Sequence, residues 1–231
     1  MDSIDIVKIL TAIAALVIAV IGHEIMHGWV AYKYGDSTAK DMGRLSLNPI
    51  VHIDLFGTIA VPAMMYFIPM LLGGESGILF GWAKPVPINT RIVINNGGYN
   101  AAMQVSLAGI AYNLVLAVLA SIAFTGLMPH DLGFRELLAN ADQFVLLYFL
   151  WMLLLINVVL AVFNLLPIPQ FDGAHFVTYL SLKFGLVKIA QFFIKMEPYG
   201  MIFVVVMLVV EPIRFFVLAM PVQFLLKLLL G

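Results

Sequence analysis

Residues 9–32 read ILTAIAALVIAVIGHEIMHGWVAY, an apolar run interrupted in its second half by His23, Glu24 and His27. A bilayer core about 30 Å thick is crossed by about 20 apolar residues in helical form, so this stretch is a transmembrane helix by length and composition. Within such a helix each charged side chain costs about 2.5–3.5 kcal/mol at the centre, and three ionisable groups in five residues need a compensating role. Counting from Ile9 at about 1.5 Å per residue places His23 about 20 Å into the span, which favours a buried functional cluster over an exposed helix end.

The rest of the chain agrees with a membrane setting. Of 231 residues, 63% are hydrophobic and 11% charged, against about 25% charged in soluble domains. Mean hydropathy is +1.05. Twelve Lys and Arg against thirteen Asp and Glu leave no basic stripe, which excludes nucleic-acid binding as a leading function. No cysteine is present, so disulfide frameworks and thiolate chemistry are excluded and any metal centre must use His, Asp or Glu. The N-terminal apolar run has no cleavage signature and is expected to be retained.

By the same ruler, residues 55–72, 103–127 and 144–163 are further spans. Pro167 and Pro169 break the pattern, making 171–182 a broken or partly buried element. Residues 201–230 are long enough to cross, but Glu211, Pro212 and Arg214 imply a kinked helix or two shorter ones. Residues 183–199 read as an amphipathic link. The expected fold is all-α: a polytopic membrane helix bundle of five or six spans, in one integral-membrane domain over 1–231.

Residues four apart on a helix share a face, so His23 and His27 can direct their imidazoles at one ion, with Glu24 adjacent to reach a water. This His-Glu-x-x-His pattern suits zinc hydrolysis: neutral imidazoles hold the metal, the metal acidifies water, and the carboxylate takes a proton. Catalytic zinc wants a third protein ligand. Asp172 is one of few candidates; it lies in the run Asn164-Leu-Leu-Pro-Ile-Pro-Gln-Phe-Asp172-Gly173, whose prolines force irregular backbone of a kind tolerated at membrane depth only against protein or a hydrated cavity. An ordinary loop is the competing reading of that run.

These motifs together resemble the site-2 protease family of intramembrane zinc metalloproteases, in its short form without an appended PDZ or CBS domain. His23-Glu24-x-x-His27 resembles the family's metal-binding helix. Asn164-x-x-Pro167-x-Pro169-x-x-Asp172-Gly173 resembles its second signature, whose Asp is the third zinc ligand. Gly43-Arg44-Leu45-Ser46-Leu47-Asn48-Pro49, residues 81–87 and Ala108-Gly109-x-x-x-Asn113 are also similar to short-form members. Ile110, Leu55 and Gln170 depart from the usual prolines without touching a ligand. The resemblance implies one zinc per chain on His23, His27 and Asp172, with Glu24 as general base. It also implies a transmembrane-segment protein as substrate and a multi-pass location in a prokaryotic plasma membrane.

Asn164 is a candidate catalytic group that could hold a substrate carbonyl or support oxyanion charge; its alternative role is to satisfy a broken helix end. Asn113 reads as a hydrogen-bonding contact between helices. His175 and His52 are outside candidates for ligation, and His130 reads as solvated. The rival functions are a zinc-binding transporter or sensor, and a non-catalytic chaperone of membrane helices. The presence of Glu24 with a full ligand set counts against both.

Overall fold

The computed structural model describes residues 3–54, 57 and 83–231, so the expected span 55–72 lies outside the described residues. Helix α1 (Ser3–Lys33) carries Asp5 in its first turn and Lys33 in its last, both placed to complement the helix dipole. It stops at Gly35, whose φ of 85° lets the Gly35 N–H reach Tyr32 O (2.9 Å) and the Asp36 N–H reach Ala31 O (3.1 Å), closing a Schellman turn. A short helix α2 (Thr38–Asp41) and a 3-10 turn (Pro49–His52) follow.

Helix α3 (Thr90–Leu127) begins well before the expected residue 103, because a polar first section capped by Asn89 precedes the apolar run that hydropathy detects. Gly98, at φ 65° and ψ −166°, breaks it between those two sections. After α4 (Phe134–Ala139) come α5 (Val145–Leu165) and α6 (Asp172–Lys183), separated by the irregular residues 166–171. The break caused by Pro167 and Pro169 thus precedes Asp172, and the element expected to be broken or partly buried over 171–182 is a continuous, partly buried helix.

Helix α7 (Val187–Met196) passes through a 3-10 turn into α8 (Gly200–Val209). The first of them is amphipathic, as expected, and together they form a stretch, Val187–Val209, that is long and apolar enough to span. Residues 201–230 separate as anticipated: Val210 is extended, and Pro212 sits in the first turn of α9 (Glu211–Arg214), because its ring cannot continue the preceding helix. A π turn (Phe215–Ala219) then leads into α10 (Met220–Leu230) just before Pro221, whose missing N–H favours such a bulge. Among the described residues five helical stretches are long and apolar enough to cross a membrane.

Helix α3 is central, packed against α5, α1 and α6. The contacts are made by small residues: Ala15, Ala19, Ala117, Ala120 and Ala161 are all buried, which lets backbones approach closely. Gly22 lies directly under the Tyr112 ring, in space a methyl group could not share. Leu10, Ile13, Leu16, Val115, Leu119 and Ile122 face outward, as lipid-facing side chains should.

Candidate metal centre

Three elements deliver the polar cluster. Helix α1 presents His23 and His27 one turn apart, both buried, and the first residue of α6 presents Asp172. Asp172 Oδ2 stands 3.1 Å from His23 Nε2 and 3.2 Å from His27 Nε2, and the two Nε2 atoms are 3.0 Å apart. Helix α3 closes the site from behind. Its Gly109 has no side chain, and a Cβ there would come within 2.5 Å of both His23 Nε2 and His27 Nε2.

The ring orientations decide what the cluster can bind. His27 Nδ1 lies 2.7 Å from the Val105 carbonyl, which only accepts, so Nδ1 carries the ring proton. His23 Nδ1 lies 2.6 Å from Asn113 Oδ1, which likewise accepts. In the neutral rings, the form that binds metal, both Nε2 atoms then face Asp172 Oδ2 with lone pairs, and Oδ2 is buried with no hydrogen-bond donor other than these rings. Three mutually facing acceptors need a cation between them. Zinc–ligand distances of about 2.0–2.1 Å at tetrahedral angles put donors about 3.3 Å apart, close to the spacing found, so the donor set fits Zn²⁺ with one position left for water or substrate.

Glu24 is next to the cluster. Its Oε2 accepts a 2.8 Å hydrogen bond from the Val86 N–H, in a non-helical strap of residues 83–89. The strap is fixed along its length. Lys84 N–H donates to His52 O (2.9 Å), Arg44 Nη2 donates to Lys84 O (2.7 Å), and Asn89 N–H donates to Asp36 Oδ2 (2.6 Å). The Gly43–Pro49 motif thus acts on the site through Arg44, and His52 supports the strap while its Nε2 pairs with Ser46 O (2.8 Å).

The structure brings together His23, His27 and Asp172, with Glu24 adjoining through the strap. His52 and His175 are not in the metal-binding group among the described residues. Asn164, at the end of α5, donates its Nδ2 to Leu160 O (3.0 Å) within its own helix. Residues 81–82 of the strap motif lie outside the described residues. Reading Asn113 as a contact between helices captured half of its role, since Oδ1 also holds His23. Gly109, Val105 and Val86 were not singled out as site residues. Gly109 and Asn113 are four apart in an apolar span, and that shared face was the available signal.

Such a bundle, with a buried two-His, one-carboxylate centre beside a glutamate, is a membrane-embedded metallohydrolase in design. Peptidase family M50 matches residues 11–209, and the chain belongs to this family, the site-2 proteases. The "Putative zinc metalloprotease YwhC" of Bacillus subtilis is 38% identical over 209 residues, covering 89% of this chain and 83% of that protein. The "Putative zinc metalloprotease Rip2" of Mycolicibacterium smegmatis is 31% identical over 154 residues, covering 65% of this chain and 49% of that protein. No solved structure matches the chain. The chain is a multi-pass integral membrane protein of the metalloprotease class, and the transporter and chaperone readings are not favoured.

Proposed function

We propose that this chain is a zinc endopeptidase that hydrolyses peptide bonds within or near transmembrane segments of membrane proteins. His23, His27 and Asp172 hold the metal and Glu24 is the base. The observation that carries this reading is the convergence of His23 Nε2, His27 Nε2 and Asp172 Oδ2, with both Nδ1 protons committed elsewhere. Zinc, when bound, supplies Lewis acidity toward water and toward the scissile carbonyl.

The chain's own residues do the rest. The Val86 N–H holds one oxygen of Glu24, so the carboxylate cannot rotate away, and its other oxygen takes the proton from the attacking water. The same oxygen then returns that proton to the leaving amine nitrogen. Burial of the cluster under α3 keeps bulk water from competing with these contacts. Asn164 is assigned to hold substrate or oxyanion charge, for which Nδ2 has a second N–H beside the one donated to Leu160 O. The membrane spans and the bacterial relatives support a location in the plasma membrane of a prokaryote.

The test is metal analysis and cleavage of a model transmembrane substrate by purified protein in detergent. About one zinc per chain is expected, with most of it lost in each of His23→Ala, His27→Ala and Asp172→Ala. Glu24→Gln should keep zinc and abolish cleavage. Undiminished turnover by Glu24→Gln would overturn the mechanism.

A further inference from the structure

Asn113 can hold His23 correctly only if its own amide is turned the right way, and the buried groups around it decide that. Asn113 and Asn157 are both fully buried, each at 0% exposure. Asn157 Nδ2 donates to Leu153 O at 2.7 Å, a bond that only the nitrogen end of that amide can make. Its Oδ1 is thereby turned toward Asn113, whose Nδ2 donates to it at 2.8 Å and to Ala19 O at 3.2 Å. With both acceptors on its nitrogen side, Asn113 must present Oδ1 to His23 Nδ1.

We infer that Asn157 is a positioning residue for the metal centre: through Asn113 it fixes the tautomer of His23, so that the Nε2 lone pair faces the metal. The relay runs from α5 through α3 to α1, and both of its amides are fully buried, so no solvent can substitute for a lost link between them. Without the Asn157 oxygen, Asn113 keeps one acceptor on its nitrogen side, and its flipped amide becomes competitive. A flipped Asn113 offers an N–H to His23 Nδ1, which favours the proton on Nε2 and blocks ligation. This inference rests on the zinc reading given above.

The experiment measures zinc affinity by chelator competition, thermal unfolding of the metal-free form, and imidazole 15N spectra, using the full chain in detergent. Asn157→Leu should weaken zinc about 10-fold, within the range of 10–100-fold for groups that orient a ligand. The 15N spectrum should show His23 shifting toward the tautomer protonated at Nε2. Asn157→Asp, neutral when buried, reproduces both bonds, with its hydroxyl on Leu153 O and its carbonyl oxygen on Asn113, and should restore affinity.

Asn113→Leu supplies the discriminating background. It removes the amide through which Asn157 acts, so Asn157→Leu should then cost no further affinity. An equal loss in both backgrounds would overturn the relay and leave Asn157 as helix packing. So would unchanged affinity and tautomer in Asn157→Leu. Failure of the wild type to bind zinc would instead overturn the metal reading itself.

Discussion

Gly109 has no side chain, and the space this leaves is where the His23 and His27 Nε2 lone pairs meet. A Cβ at that position would lie 2.5 Å from each Nε2. Gly109→Ala is therefore expected to weaken zinc about 100-fold, by displacing rings rather than by removing a ligand. Overpacking of this kind costs about 1–3 kcal/mol, so the metal-free protein should still unfold cooperatively at a lower temperature. Chelator competition and a melting curve on the same sample check both. Gln170 makes a related point. It is the single non-glycine residue with positive φ among the described residues, at 87°. A proline there, usual in relatives by the resemblance noted above, would need φ near −65°, so the departure is structurally consequential. Gln170→Pro should displace the residues that lead into Asp172 and lower zinc content, as metal analysis would show.

At the scale of elements, the strap 83–89 and the break at 166–171 are both irregular backbone beside buried polar groups, tolerable where protein covers them. The break is braced by Gly200 of α8, whose α-carbon lies against Pro169 O with no room for a methyl, and Gly173 is pressed in the same way on Leu165 O. The strap meets Glu24 through one N–H. Val86→Pro deletes that donor while keeping extended backbone. A hydrogen bond to a charged group is worth about 1.5–3 kcal/mol, so cleavage should fall about 10- to 100-fold with zinc content unchanged. Loss of zinc in parallel would mean the strap holds the ligands rather than the base.

Much of this was legible beforehand at the level of single helices. The cluster His23, Glu24 and His27 declared itself because charge in an apolar run demands a reason, and the break declared itself through Pro167 and Pro169. What was not legible is what depends on contacts distant in sequence: Gly109 against the imidazoles, Val86 on Glu24, Arg44 on Lys84. The polar start of α3 was missed because hydropathy weighs side chains, whereas a helix begins where its first N–H groups are capped, here by Asn89. The amphipathic character of Val187–Met196 was legible through Lys188 and Lys195 set among apolar residues, while its continuation into a stretch long enough to span was not.

For the molecule as a whole, the centre lies within packed helices, while the proposed substrate arrives as a helix whose own carbonyls and amides are already paired. Attack needs a free carbonyl, so about one turn of the substrate must open first. The strap offers that opened segment little help in donors. Pro85 and Pro87 have no N–H, and those of Lys84, Val86 and Asn89 are spent on His52, Glu24 and Asp36. Its carbonyls can accept, so an opened segment that settles there must supply N–H groups of its own. Opening cost should then dominate selection. In a helix interior Gly costs about 1 kcal/mol and Pro about 3 kcal/mol relative to Ala, scales from water that give the direction in lipid. A matched series of model spans, differing by one Gly-to-Leu exchange near the cut and reconstituted with wild-type enzyme, should show the Gly version cleaved about five-fold faster, the rate equivalent of about 1 kcal/mol. Equal rates at equal membrane insertion would show that a step other than helix opening selects the substrate.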